Sequence, residues 1–309
     1  MPDKTATGFI AQTQLMTYAT PGIEQVSEGA GDWNLAAARA GLDWEPTVRP
    51  LGDLEWGINV PGVHGVWHDR TFLGSATERH QLISHAGMGK VVDAIVSIHD
   101  KPVTALVVLD HGRRVGARVT HDTMRITGDP SPIDLETWVW LRHDAKGSLT
   151  VLENAQRMFC TNQLGGLSNR AAAMRVRHTG DVDVKVDELV EQLKTNADDW
   201  KLWEQEMDRL RMTRVTDDRF DQFTQLYIPK PIEPVSPSRA LNAQAVLNKL
   251  WRRYSDELGR HAYAGFQAIA EFEDKRRAAR GPVGRFQRAI QPNPNKDRGV
   301  RMLVQVARG

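Results

Sequence analysis

Ten histidines and a single cysteine are the side chains of this 309-residue chain best suited to catalysis or metal binding. His64 and His68 stand four apart in Val63-His64-Gly65-Val66-Trp67-His68, a spacing that places two imidazoles on one face of a zinc-binding helix. Gly65 and the nearby Pro61 argue against a helix there, and no Glu follows His64. Cys160 beside His178 would give a thiolate nucleophile, yet a lone cysteine in an apolar segment reads first as a small buried hydrophobe. Gly165-Gly166 is a loop or helix break and lacks the Lys and Ser/Thr of a phosphate cradle. Asp181, Asp183 and Asp187 alternate with valines, as at a solvated strand edge or helix entrance. No catalytic constellation emerges, so no enzymatic role is assigned, and nothing in the pattern calls for a metal or a cofactor.

Binding chemistry is better represented. From Arg157 to His178 the chain carries Arg157, Asn162, Gln163, Asn169, Arg170, Arg175, Arg177 and His178 without one acidic residue. Arginine forks suit phosphate oxygens, and Asn and Gln suit phosphate, sugar or base edges. Arg113, Arg114 and Arg118 add charge on the return arm of a hairpin. A net charge of +1 conceals strong blocks: residues 1–110 carry −6, 111–180 carry +4, 181–234 carry −6 and 235–309 carry +9. Lys275, Arg276 and Arg277 open a final stretch whose one acid is Asp297. Such a concentration points to an anionic partner. Pairing of these arginines with the acidic 181–221 block is the structural alternative.

The elements that must position these residues form an α+β pattern. Residues 1–30 read as a loose N-terminal arm. Asn34 to Gly41 read as a short helix capped by Asp32 or Asn34, with Leu35 and Ala38 inward. Residues 91–98 fit a helix or a strand. Val103–Leu109 and Arg114–Val119 flank the Asp110-His111-Gly112 turn as a hairpin, and Trp138–Arg142 and Ser148–Val151 continue an antiparallel sheet. After about 153 the chain turns helical, with Trp200 and Trp203 on the packing stripe of a helix over 186–212. Prolines 229, 231, 234 and 237 mark a linker, after which Ser236 or Ser238 caps a further helix. A last helix covers 262–279, and 281–309 read as a flexible basic tail. The expected domains are thus a 31–228 core with a β-rich front, 229–280 as linker and C-terminal helices, and the tail.

Several blocks resemble a known family. Arg157-Met158-Phe159-Cys160-Thr161-Asn162-Gln163-Leu164 followed by Val176-Arg177-His178-Thr179 resembles the central signature of the phage/plasmid-like proteins grouped as domain of unknown function 932. Gly41-Leu42-Asp43-Trp44, Leu73-Gly74, His143-Asp144 and Phe266–Asp274 resemble its flanking blocks, so the likeness spans about 41 to 274. Gln163 stands where a Thr is usual, and Lys275 where a His is common. The resemblance implies a phage, prophage or plasmid gene and a distant kinship with single-strand annealing recombinases. Those place a small antiparallel sheet on helices and need no catalytic residues. The expected function is therefore single-stranded DNA binding and annealing in recombination or replication, by a self-associating protein in the (host) cytoplasm. The alternative is a host-interaction or regulatory protein that binds an acidic protein partner; a metal-dependent nucleic-acid enzyme ranks third. No stretch approaches a membrane span, and the N-terminus does not read as a signal peptide.

Overall fold

The computed structural model describes residues 23–27, 31–53, 58–145, 147–157, 162–164, 174–195, 199–232, 236–276 and 293–309. The chain divides into two units, one of residues 1–122, 135–153 and 173–197, the other of 123–134, 154–172 and 198–309. The expected 31–228 core has parts in both units: the chain leaves the first unit twice and returns before its helical half begins. The protein is α+β, with antiparallel sheets in front and helices behind.

The first unit is built on a sheet of order β1-β5-β6-β7-β8-β10, with β1 Ile23–Ser27, β5 Val103–Leu109, β6 Arg114–Met124, β7 Ile133–Arg142, β8 Ser148–Arg157 and β10 Met174–Arg177. The short β9, Asn162–Gln163, pairs with the far end of β8, which belongs to the second unit. A three-stranded sheet joins β2 Thr47–Asp53, β3 Ile58–His68 and β4 Thr71–Thr77. The hairpin around Asp110-His111-Gly112 has the expected strands, and its three turn residues all take positive φ (51°, 58° and 83°). Part of the expected loose arm is strand: the Ile23–Ser27 backbone pairs with Leu106–Leu109 and covers what would be an open edge of β5. The sheet also runs further than expected. β8 continues to Arg157 and β10 follows, so the rear helices begin only at Val182.

Three helices cover one sheet face: α1 Trp33–Arg39, α2 His85–His99 and α3 Val182–Thr195. Asp32 caps α1 by accepting from the Leu35 amide at 2.8 Å. The inward face is Trp33, Ala36, Ala37 and Ala40, whereas Leu35 is 45% exposed, so the expected Leu35/Ala38 face is corrected. Helical spacing counted from Trp33 gives these positions, and the large indole, being the anchor, decides the face. A Cβ on Gly89 of α2 would lie 2.4 Å from the Trp33 ring. Gly89→Ala is therefore expected to cost about 1–3 kcal/mol through overpacking, read as a lower midpoint in chemical denaturation. A side chain at 89 without such a cost would show that Trp33 is loosely seated.

The second unit holds α4 Asp199–Met212, α5 Asp217–Tyr227, α6 Ser238–Leu258, α7 Ala262–Glu271, a π-helical turn Phe272–Arg276 and α8 Pro294–Arg308. The helix expected over 186–212 is two helices, α3 and α4, that fall in different units. Pro237 occupies the N-cap of α6 without a side-chain hydrogen bond of its own; the Ser236 hydroxyl accepts from the Ser238 amide at 3.4 Å and also bonds the Ser238 hydroxyl. Every residue of α7 is buried, which makes it the central helix of its unit. The expected flexible tail is corrected over 293–309: α8 packs on α5 and α7, with Lys296, Gly299, Val300 and Leu303 buried. The polar, basic and Gly/Pro-rich composition reads as a tail, but the spacing of Lys296, Gly299, Val300 and Leu303 is that of an amphipathic helix. Among the described residues, no helix is long and apolar enough to cross a membrane.

Candidate nucleic-acid interface

The expected phosphate-binding residues separate into buried ion pairs and an exposed group. Arg157 is 1% exposed in the second unit. Its Nε donates to Asp129 Oδ2 at 2.9 Å and its Nη2 to Asp129 Oδ1 at 2.7 Å, and Nη2 also reaches Glu257 Oε1 at 2.5 Å. Tyr263 Oη and the Ser131 amide donate to the same Asp129 carboxylate at 2.6 and 2.9 Å. Burial alone would raise the Asp129 pKa; the donors from Arg157, Tyr263 and Ser131 outweigh it and hold the group below its ordinary value.

Arg118, on β6 in the first unit, is likewise buried against Glu136 (3.3 Å), the Thr104 hydroxyl (3.1 Å) and the Trp138 ring. Arg114 pairs with Asp110 in the hairpin turn. These three guanidiniums face carboxylates of their own unit, which removes Arg157 and Arg118 from any solvent-facing phosphate surface. The ion pairs of Arg157 with Asp129 and Glu257 lie outside the acidic 181–221 block, at positions that no local pattern marks.

Other expected residues keep an outward position. Arg113 is exposed, and its Nη2 donates to the Phe72 carbonyl at 2.9 Å. Arg175 and Arg177 are both exposed on β10, while Val176 between them is buried in the core. β10 pairs antiparallel with β8, Arg175 opposite Thr150 and Arg177 opposite Ser148. Alternation therefore puts two arginines and two half-buried hydroxyls on one face at the edge of the sheet. Lys275 is exposed in the π-helical turn, which also contains Arg276. Asn162 lies on β9, while Arg170, Arg277 and Cys160 fall outside the described residues.

Next to the exposed arginines lies a feature the sequence pattern did not reveal. His178, which follows Arg177, is buried and stacks on His80 with ring centroids 4.6 Å apart. His178 Nδ1 lies 3.0 Å from the Gln81 carbonyl and 3.3 Å from the Ile83 amide nitrogen. His143, in the β7–β8 turn, is fully buried, and its Nε2 is 2.9 Å from Nε2 of His85. His85 Nδ1 donates to the Trp44 carbonyl at 2.7 Å, so its Nε2 accepts the His143 Nε2–H. With both rings neutral, as their lowered pKa values favour, His143 Nδ1, which has no hydrogen-bond partner, is left as a bare acceptor. Trp44 also stacks on His68 at 3.6 Å, and Glu45 accepts from the His85 and Ala86 amides at 2.7 and 3.0 Å.

Burial lowers the pKa of His80; burial, with repulsion from a neighbouring imidazole adding to it, lowers that of His85, pushes His143 well down and takes His178 to about 4. Among the described residues, no group of three or more His, Cys, Asp or Glu side chains could hold a metal ion. His64, although on β3, is not among these stacked and bonded rings, so the i, i+4 pair of the sequence does not act together.

Trp44, His143 and His178 come from three chain segments far apart in sequence, each within a block that carries the family resemblance. The sequence model of the family described as domain of unknown function (DUF932) matches residues 72–298, well over half the chain. The chain belongs to the DUF932 family. Neither a curated protein nor a solved structure gives a significant match. In this DUF932 protein the Arg-His-Thr block thus has two parts, an arginine that faces out and a histidine that faces in. The closing-helix block ends in buried Glu271, Glu273 and Asp274, which pair with Arg253, Tyr227 and Lys296.

Proposed function

We propose that this DUF932 protein binds single-stranded nucleic acid through the β8–β10 edge, and that it serves annealing in phage or plasmid recombination or replication. The observation that carries the reading is the exposed Arg175–Arg177 pair on one face of an edge strand, with Thr150 and Ser148 alongside. Residues i and i+2 of a strand are about 6.6 Å apart, which suits successive phosphates of an extended strand. Forked guanidiniums hold such phosphates without reading sequence, and bases remain outward for pairing. Arg113 is a further outward cation of the same unit. Arg157 and Arg118 have no part in this surface.

Arg175→Gln/Arg177→Gln is expected to weaken binding of any oligonucleotide. The slope of log K against log salt should become shallower by about 0.7 for each phosphate no longer neutralised. Measurements at four salt concentrations, with circular dichroism to confirm folding, decide it. An unchanged slope in a folded variant removes β10 from the interface. An acidic protein partner remains the second reading, because α8 shows Arg298, Arg301 and Arg308 outward. Binding that survives the β10 variant but fails when those three are neutralised would favour it.

A further inference from the structure

We propose that the clustered imidazoles of half-buried His80 and of buried His85, His143 and His178 form an acid-operated latch that holds β10 closed at neutral pH and releases it on protonation. The four rings come from four places: the loop after β4, the first residue of α2, the β7–β8 turn, and the residue after β10. Only the last belongs to the segment that must move. β10 is a short edge strand held by β8 on one side and by α3, with the Thr179 carbonyl accepting from Lys185 Nζ. His178 supplies its anchor into the core, through the Gln81 and Ile83 backbone and the His80 stack.

The cluster has little room for a positive charge. His85 Nδ1 is committed to the Trp44 carbonyl, and the His143 Nε2–H to His85. A proton on His143 Nδ1 would lack an acceptor and would face His85, His178 and His80. The nearby carboxylates have other partners, Asp144 being held by Arg142 through two bonds of 3.1 and 2.6 Å and Glu45 by the amides at the start of α2; Glu45 and the Trp44 carbonyl favour charge on His85, but burial prevails. His68, stacked on Trp44, adds a further like charge beside His85. The Asp144 carboxylate and the Gln81 and Arg142 carbonyls favour charge on His178, but burial and His80 prevail.

The sign follows from linkage. A histidine whose pKa is lowered in the closed state, against about 6.5 in the open one, binds its proton on opening, so acid favours the open state. With His178 near 4 when closed, that residue alone raises the open population about 20-fold between pH 7 and pH 5. Asp297 on α8 works oppositely. Burial raises its pKa to about 6, so its contribution is full at low pH and is lost as pH rises through that value. α8 therefore serves as an internal control whose protection should not fall toward pH 5.

Hydrogen exchange of the full chain, without nucleic acid and corrected for the intrinsic pH dependence, tests the latch. Met174–Arg177 should lose about 20-fold or more in protection from pH 7 to pH 5, while β5 and α8 amides hold. The log of the opening constant should change by more than one per pH unit near pH 5.5, because more than one imidazole takes a proton. His80→Phe keeps an aromatic ring on His178 and removes one titrating group, so this slope should drop by up to one. Unchanged β10 protection, or equal loss in β5, overturns the latch; if the variant does not fold, the wild-type profile alone decides. That opening also withdraws the Arg175–Arg177 face rests on the proposed function, and oligonucleotide binding tests it separately. Affinity should fall at pH 5 even though positive charge increases. Opening without loss of affinity leaves the latch standing and sinks the role of β10 in binding.

Discussion

Replacing Arg157 with Met is expected to destabilise the protein by about 3–5 kcal/mol, the usual cost of stranding one partner of a buried ion pair. Methionine fills much of the volume but leaves the Asp129 carboxylate with Tyr263 and Ser131 as donors and no positive charge. Urea denaturation at pH 7.5 would read the loss directly. The pH dependence is diagnostic. In the wild type Asp129 is held below its ordinary pKa, so its stabilisation is present above about pH 4 and fades as pH falls through the folded value. In the variant burial prevails, the carboxyl takes a proton more readily, and the deficit should shrink toward pH 4.5. Asp129→Asn in the Arg157→Met background should recover part of the loss, because no buried charge is left. The salt slope of nucleic-acid binding, measured on the folded fraction, should not move. A stable Arg157→Met protein with a shallower slope would return Arg157 to the interface.

The contrast between Arg157 and the Arg175–Arg177 pair shows where sequence reasoning stops. All three lie in one acid-free stretch, and composition treats them alike. Strand alternation separates Arg175 and Arg177 from the core once β10 is placed, because Val176 between them must be buried. Arg157 ends β8, and its carboxylates come from Asp129 and from Glu257, one hundred residues later. Only tertiary structure brings them together. Local patterns did carry the β5–β6 hairpin, the β7–β8 turn and the amphipathic rear helices, since turn residues and apolar periods act within ten residues or so. They failed at α1, where one indole decides the buried face. The histidine cluster shows the same limit. His80, His85, His143 and His178 share no spacing, and the signal available was that two blocks within the family match contain His143 and His178 without any catalytic motif between them.

Deleting residues 293–309 is expected to be the most damaging change of all, although the segment is rich in arginine. α8 begins with Asn293 as N-cap and Pro294 at its first position, and Asn293 Oδ1 accepts from the Asn295 amide at 3.0 Å. Its inner face puts Leu303 over Gly265 of α7, where a Cβ would lie 2.3 Å from the leucine, and Gly299 against Ile269 and Tyr227. Lys296 Nζ sits 2.6 Å from Asp274 Oδ1 with both side chains buried. Removal therefore exposes the fully buried α7 and takes the ammonium from a buried carboxylate. Loss of Leu303 alone corresponds to about 2–5 kcal/mol, and breaking the Lys296–Asp274 pair to about 3–5 kcal/mol. Together these approach the whole stability of a typical domain, about 5–15 kcal/mol. The truncated protein should lose more helical circular dichroism than the fifteen residues of α8 provide, because the remaining helices of that unit lose their packing. Leu303→Ala, a milder version, should lower the melting temperature while keeping the helical signal at 20 °C. A truncated chain that melts with the full protein and loses only the α8 signal would restore the flexible-tail description and show that α7 is buried well enough without it.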